Sequence, residues 1–166
     1  RGILLIHGFT SSPYHFREFA KSLHLRDFTV LSMLLPGHGT HPDHLNSVQR
    51  KDWYVAVRDA FLALSRHVDH ISVIGDSYGG ILAYILAALS HERNMIDHVV
   101  SVGSPVYIRG DWHKPLLPVI KRVRPLHRKP WARGLPKNQF ITDHATYTYY
   151  PLFALHEMYR SITHDC

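Results

Sequence analysis

The chain has 166 residues, which is enough for one domain that buries roughly two-thirds of its unfolded surface around a single core. Its formal net charge is +6 without any nucleic-acid-binding motif, and its one cysteine, Cys166, excludes an intrachain disulfide. No apolar run reaches the roughly 20 residues that cross a bilayer, so we expect a soluble, cytoplasmic protein with no integral membrane segment and no nucleic-acid partner.

Four short apolar runs predict buried β-strands. They cover residues 2–8, 28–34, 71–75 and 98–104. Each is bounded by glycine, proline or polar turn residues, as is typical of strands that are covered on both faces.

Helical patterns separate these runs. Ser12 can cap and Pro13 can open a first helix. Its apolar stripe consists of Phe16, Phe19, Ala20 and Leu23. A second helix is predicted from about residue 52 to residue 68, and a third, apolar on most sides, over residues 81–90. The stripe of the second helix consists of Trp53, Val57, Ala60, Phe61, Leu64 and Val68. The alternation predicts an α/β fold, with a mostly parallel sheet and helices on both of its faces.

The sequence pattern changes after the fourth run. Residues 105–140 hold nine lysines and arginines against one acid, Asp111, and they are rich in proline. We expect residues 1–104 to form the first part of the core. Residues 105–166 are expected to form a basic insertion over one end of the sheet and the start of the return to the core, with a helix resuming over 151–161. A solvated face is the commoner use of such charge, and contact with an anionic surface is the alternative.

The segment GDSYG, residues 75–79, places Ser77 directly after a predicted strand and before a predicted helix. This is the context of a nucleophile elbow, in which a strained turn lifts a serine hydroxyl above the end of the strand. Gly75 and Gly79 let neighbouring chain pass without Cβ clashes. The Tyr78 N–H opens the helix, where it can donate to negative charge that develops on a substrate. A simple turn is the alternative for this five-residue pattern taken alone.

A second donor is expected from HGF, residues 7–9, which closes the first strand. Gly8 permits the backbone turn that would aim the Phe9 N–H at the same point. The amides of Phe9 and Tyr78 together form a predicted oxyanion hole, and each such donor is typically worth ~10²–10³ in rate.

These motifs resemble the α/β-hydrolase superfamily, specifically its carboxylesterase and monoacylglycerol-lipase-like branch. The resemblance rests on GILLIHGFTSSP, LLPGHGTHPDHL, GDSYGG and YYPLFALHEM, which occur in the expected order along nearly the whole chain. It implies Ser77 as the nucleophile, the Phe9 and Tyr78 amides as the oxyanion hole, and a small cap within about residues 105–160. It also implies hydrolysis of acyl esters or monoacylglycerols through an acyl-enzyme, without a cofactor, and a supporting role in the loop for His7.

The resemblance further implies a catalytic acid and a catalytic histidine on loops after later strands. His164 and Asp165 are the last histidine and the last acid of the chain, and no predicted strand presents them. We assign neither role within the chain and expect both groups beyond Cys166. Because a serine hydroxyl is a weak nucleophile without a base, we expect the chain alone to be inactive.

Fifteen histidines raise the alternative of a metal site. The best candidate lies in HGTHPDH, where His41, Asp43 and His44 have part of the spacing of binuclear zinc hydrolases. Gly39 occupies the position where that motif requires a further histidine. We therefore expect no metal.

Other polar and aromatic residues near these motifs have simpler interpretations. Asp76 is expected to make loop hydrogen bonds rather than to take part in catalysis. An aromatic cluster leaves two alternatives open, an acyl pocket under the cap or packing that fastens the cap to the sheet. It consists of Tyr147, Tyr149, Tyr150 and Phe153.

Two kinds of alternative function also stay open. Serine peptidases, thioesterases and acyltransferases use the same elbow. In a different class, the chain is a non-catalytic fragment whose basic cap binds an anionic surface, such as lipid headgroups, or a partner. The sequence does not specify the oligomeric state.

Overall fold

The computed structural model describes residues 1–89, 93–105, 119, 125–132 and 146–165. Four of its strands are β1 (Gly2–Ile6), β2 (Thr29–Met33), β3 (Ile71–Asp76) and β4 (Ile96–Val102). They form one parallel sheet in the order β2-β1-β3-β4. The four predicted strands are confirmed, although β4 begins and ends two residues earlier than predicted.

Helices connect the strands and follow them. They are α1 (Arg17–His24), α2 (Pro42–Leu45), α3 (Arg50–Ser65), α4 (Tyr78–Leu89) and α5 (Leu152–Arg160). Short 3-10 turns span Pro13–Phe16, Arg93–Met95 and Pro130–Ala132, and a π-helical turn spans Ser161–Asp165. In the parts of the chain that the structure describes, none of these helices has the length and apolar character to cross a membrane.

The central strand β1 is buried on both faces because helices cover the sheet on either side. Ile3 and Leu5 pack with Phe16 and the residues of α1. Leu4 and Ile6, which point to the opposite face, pack with α3 and α4. The predicted α/β fold with helices on both faces is therefore confirmed.

Helix α3 supplies the largest side chains of that second layer. Four members of its predicted stripe are buried, Trp53, Val57, Phe61 and Leu64, whereas Val68 lies beyond the end of the helix at Ser65. The helix is stabilised at its start because the Gln49 N–H donates to the Asp52 carboxylate at 2.9 Å.

The first predicted helix differs from the structure at its start. Pro13–Phe16 forms a 3-10 turn, the Ser12 side chain makes no capping hydrogen bond, and α1 begins only at Arg17. Within α1, Ala20 and Leu23 pack with Ile3 and Leu5 of the sheet. Phe19, predicted to face the core, is 44% exposed, because this face of the helix is occupied by those two residues.

Beyond β4 the structure describes two short paired strands and a helix. β5 (Leu126–Arg128) pairs antiparallel with β6 (Tyr149–Pro151), and α5 follows directly. The helix predicted over 151–161 is thereby confirmed. Most of residues 106–145 lie outside the described residues, so the cap and the boundary at residue 104 stay predictions.

Candidate active site

Ser77 occupies the turn between β3 and α4, with Asp76 ending the strand and Tyr78 beginning the helix. Its backbone has φ +51°, a left-handed conformation that costs a non-glycine residue on the order of 1–3 kcal/mol. The end of β4 holds this turn in place. The Ser77 N–H donates to the Val102 carbonyl at 2.7 Å, and the Ser77 carbonyl accepts from the Ser104 hydroxyl at 2.6 Å. A strained serine held at a strand-to-helix turn is the geometry expected of an elbow.

The glycines around Ser77 are required by close backbone contacts. A Cβ on Gly75 would lie 2.2 Å from the Gly79 carbonyl oxygen, and a Cβ on Gly79 would lie 2.1 Å from the Ile6 carbonyl oxygen. A Cβ on Gly80 would meet a side chain instead, since it would lie 2.0 Å from Ser104 Oγ. Helix α4 therefore starts so close to strand backbone that no side chain fits at Gly75 or Gly79.

The loop after β1 lies against the Ser77 side chain. A Cβ on Gly8 would lie 3.2 Å from Ser77 Cβ. The Phe9 and Tyr78 rings meet edge to face with 6.4 Å between their centroids. The two residues whose amides are predicted to form the oxyanion hole therefore approach Ser77 from different elements.

The peptide group between Gly8 and Phe9 is held in a fixed orientation. The Gly8 carbonyl accepts hydrogen bonds from the Ser11 N–H at 3.1 Å and from His7 Nδ1 at 2.9 Å. Because the peptide is trans, the Phe9 N–H points away from this carbonyl. Two hydrogen bonds to the carbonyl fix the peptide plane and polarise the amide. The Phe9 N–H is thus held in one direction, as its predicted role in the oxyanion hole requires.

Two buried histidines hold the loops beside the elbow. His7 Nε2 accepts from the Leu35 N–H, and His38 Nε2 accepts from the Thr10 N–H, each at 3.1 Å. Each ring also donates its Nδ1–H to a nearby backbone carbonyl. Burial lowers the pKa of His7 to about 4 and the pKa of His38 to about 3, so both rings are neutral at neutral pH. Backbone groups engage both nitrogens of His7, which supports a structural role rather than that of a base.

The Tyr78 side chain anchors the start of α4 in the core. It is fully buried, its hydroxyl bonds Ser161 Oγ at 2.8 Å, and its ring meets the Trp53 ring at 5.3 Å between centroids. The role predicted for Tyr78 in the oxyanion hole therefore falls to its backbone N–H. That role and those of Ser77 and Phe9 stay predictions.

A model of the alpha/beta hydrolase family matches residues 3–164. The chain belongs to this family. The thermostable monoacylglycerol lipase of Bacillus sp. (strain H-257) is 36% identical to it over 86 residues, which are 52% of this chain and 34% of the lipase. The carboxylesterase of Bacillus subtilis (strain 168) is 28% identical over 112 residues, which are 67% of this chain and 44% of the esterase.

Among solved structures, one described for LipS and LipT, two metagenome-derived lipolytic enzymes, has a TM-score of 0.79 with 21% identity. The match covers 98% of this chain and 64% of that chain. At this level of identity the likeness concerns the fold alone. The matched segments cover less than half of the length of either Bacillus relative.

The histidine-rich segment around His41 is explained by local hydrogen bonds. His41 Nδ1 accepts from the Asp43 N–H at 3.3 Å and so caps α2. The Thr40 hydroxyl bonds His44 Nδ1 at 2.9 Å. Within the described ranges, no three histidine, cysteine, aspartate or glutamate side chains are grouped to hold a metal ion.

Asp76 ends β3, and its carboxylate lies beside the loop that follows β1. Asp76 Oδ2 is 3.8 Å from His15 Nε2, and it would lie 3.1 Å from a Cβ on Gly8. These positions support the interpretation that Asp76 serves the loop.

In the aromatic cluster, the contacts of Tyr147 favour packing over an acyl pocket. The Tyr147 side chain is 2% exposed, and its hydroxyl donates to the Gly37 carbonyl at 3.1 Å and accepts from the Thr40 N–H at 2.9 Å. Its ring stacks on His38 with 6.5 Å between the centroids, and burial raises the pKa of its hydroxyl. Tyr147 therefore fastens the segment before β6 to the loop that contains His38.

Sequence reasoning missed two residues near the elbow. Thr10 has φ +66°, which no sequence signal marks, because a β-branched residue rarely adopts a left-handed conformation. Lys129 belongs to the run of bases that predicts a solvated face, but it is only 5% exposed. For this lysine the expectation of a solvated side chain was wrong, because its ammonium group reaches inward to hydroxyl groups of the core.

Proposed function

We propose that the protein is a serine-dependent carboxylic ester hydrolase that works through an acyl-enzyme. Ser77 is the nucleophile, and the Phe9 and Tyr78 N–H groups bind the oxyanion. The observation that carries the proposal is the left-handed Ser77 at the turn from β3 to α4, with the Gly8 loop lying against its side chain. Strain of this kind persists only where the surrounding structure imposes it, and it is concentrated at functional sites.

In the reaction, the Ser77 hydroxyl attacks the ester carbonyl and gives its proton to a histidine. The negative charge moves to the former carbonyl oxygen, which accepts hydrogen bonds from the two amides. Collapse of this intermediate expels the alcohol and leaves an acyl-serine, which water then hydrolyses by the reverse sequence. The helix N-terminus at Tyr78 adds a favourable dipole to the same charge.

The catalytic histidine and its acid are proposed to follow Cys166 in the chain. The two histidines beside the elbow are poor candidates, because each of the His7 and His38 rings is occupied by backbone groups through both nitrogens. The reaction as proposed needs no cofactor.

The substrates are proposed to be short- to medium-chain acyl esters or monoacylglycerols. The names of the two Bacillus relatives, a monoacylglycerol lipase and a carboxylesterase, support this class. We further propose that residues 105–140 set the preference for acyl-chain length, since an insertion over the sheet would cover the acyl group bound at Ser77. Replacing this segment in the full-length protein should then change the chain-length profile.

Hydrolysis of p-nitrophenyl butyrate by the full-length protein tests the proposal. Ser77→Ala should abolish turnover, whereas Ser72→Ala, a serine at the opposite end of β3, should retain it. A parallel assay with a thioester and an amide of the same acyl group separates an esterase from a thioesterase or a peptidase. Equal activity of the Ser77→Ala variant and the unmodified protein would remove Ser77 from the mechanism.

A further inference from the structure

Lys129 reaches from the end of β5 into the core beside the loop that precedes α1. Its Nζ donates to Thr10 Oγ1 at 2.7 Å and to Thr146 Oγ1 at 3.0 Å. The ammonium group also lies 4.9 Å from the centroid of the Tyr150 ring. A backbone hydrogen bond holds the main chain of Lys129 in place, since its N–H donates to the Thr148 carbonyl at 2.9 Å.

Two threonine hydroxyls connect the Lys129 ammonium group to backbone carbonyls through hydrogen bonds. An ammonium group only donates, so each hydroxyl must accept from Lys129 and use its own proton elsewhere. Thr10 Oγ1 donates to the Phe9 carbonyl, and Thr146 Oγ1 donates to the Thr10 carbonyl at 3.1 Å. Lys129 thereby reaches the carbonyl on each side of the left-handed Thr10.

Thr10 is held at every polar group. Its N–H donates to His38 Nε2 at 3.1 Å, and its carbonyl also accepts from the Tyr147 N–H at 2.9 Å. Thr10, with its φ of +66°, directly follows Phe9, whose N–H is proposed to bind the oxyanion. The peptide group between Phe9 and Thr10 is therefore fixed by the hydrogen bonds of Lys129 and Thr10. The peptide group between Gly8 and Phe9 is fixed by the hydrogen bonds to the Gly8 carbonyl.

We propose that Lys129 is a positioning residue, which orients the Thr10 hydroxyl, holds Thr10 in its left-handed conformation and so fixes the Phe9 amide for oxyanion binding. The inference rests on the proposed function. If Lys129 has this role, the segment around β5 supports the site. That segment lies more than a hundred positions along the chain from the loop that contains Thr10. Burial lowers the pKa of Lys129 to about 8, so placing this charge in the core opposes folding.

The test compares Lys129→Met with Lys21→Met, an exposed lysine on α1, in the full-length protein. Methionine is unbranched and only one atom shorter than lysine, and it lacks the ammonium donors. Losing a whole oxyanion donor costs ~10²–10³ in kcat, so misaligning one should cost about 10- to 100-fold, with KM changed less than about threefold. Thr10→Val should lower kcat to a similar extent, and the double variant should be no slower than the slower single variant. Lys21→Met should behave like the unmodified enzyme.

Hydrogen exchange gives a readout that does not depend on activity. In Lys129→Met the amides of Thr10 and Tyr147 should exchange about tenfold faster or more, while the amides of β3 keep their rates. If those two amides keep their rates, or if kcat equals that of Lys21→Met, the positioning role is wrong. Fully additive losses in the double variant would contradict the path through Thr10. Activity that survives Ser77→Ala would instead overturn the proposed function, whereas unchanged exchange with Ser77-dependent activity overturns the inference about Lys129 alone.

Discussion

His7 and His38 each accept, through Nε2, a backbone N–H bond from the loop that contains the other histidine. The Leu35 N–H donates to His7 and the Thr10 N–H donates to His38, and the two rings lie 4.9 Å apart between centroids. Each bond joins residues 28 positions apart in the chain. The loops after β1 and β2 are therefore cross-linked beside Ser77 by two neutral imidazoles, neither of which can accept a proton without losing its bond.

This cross-link predicts a loss of stability in acid. The folded-state pKa of about 4 for His7 and about 3 for His38 lies below the ordinary value of 6.5, so below pH 6.5 the unfolded chain binds protons that the folded chain excludes. By pH 5 the loss should be about 2 kcal/mol for each histidine. Urea unfolding of the protein between pH 5 and 7 measures this loss.

His38→Gln should reduce the pH dependence of the unfolding free energy over this range, because glutamine does not titrate. His67→Gln, at an exposed position, serves as the control and should leave it unchanged. An identical pH dependence in the unmodified protein and in His38→Gln would contradict the prediction.

Gly79 should not tolerate even a methyl group. Its Cβ would lie 2.1 Å from the Ile6 carbonyl oxygen, which is rigid strand backbone, so Gly79→Ala should destabilise the fold by about 3 kcal/mol or more. Gly103 is the matched case, with φ +61° but no atom within 4 Å of its Cβ. Since asparagine accepts a left-handed backbone, Gly103→Asn should cost less than about 1 kcal/mol. Thermal unfolding of both variants measures the contrast, and equal losses would refute the explanation by close contact.

At neutral pH the free energy of unfolding of Lys129→Met should equal or exceed that of the unmodified protein, although we expect the variant to be less active. Burial holds the folded-state pKa near 8 against 10.5 in the unfolded chain. Between pH 8 and 10.5 the unfolded chain binds more protons at this lysine than the folded chain does. As the pH rises through this range, the free energy of unfolding of the unmodified protein should increase by about 1.4 kcal/mol per pH unit relative to that of Lys129→Met. Denaturant titrations at pH 7, 9 and 10 measure this gain, and a constant difference across that range would show that the lysine is not buried as a charge.

Removing the Tyr147 hydroxyl should weaken the contact between the segment before β6 and the loop that contains His38. Tyr147→Phe leaves the Thr40 N–H and the Gly37 carbonyl without this partner, which should cost about 1–3 kcal/mol. Tyr84→Phe, whose side chain is 45% exposed, should change stability by less than about 0.5 kcal/mol. Equal effects in the two variants would indicate that the buried hydroxyl contributes little.

Local patterns were sufficient to predict the strands, the longer helices and the strand-to-helix turn at Ser77. The stripe of α3 and the glycines around Ser77 act over a few residues, so periodicity and spacing reveal them. The start of α1 was not predictable in the same way, since Ser12 and Pro13 have the pattern of a helix start but Pro13–Phe16 forms a 3-10 turn. Nor does periodicity give the strand order, which depends on long-range pairing.

The residues that hold the loop of the site, such as His38 and Lys129, were not predicted from the sequence for a related reason. The His38 bond to Thr10 and the Lys129 bond to Thr10 join positions far apart in the chain, and only the folded backbone brings them together. A lysine in a run of bases resembles its solvated neighbours until its surroundings are known. The sequence therefore predicted the residues proposed to react, and the structure was needed to find those that hold them.

Mass spectrometry of the full-length protein after reaction with a fluorophosphonate ester tests the nucleophilic role of Ser77 most directly. Such a reagent phosphonylates a serine only where a base and an oxyanion hole activate it. We expect one adduct, located on Ser77, together with complete loss of ester hydrolysis, and no adduct in Ser77→Ala. An adduct on a different residue, or hydrolysis that continues with Ser77 blocked, would contradict the assignment of Ser77 as the nucleophile.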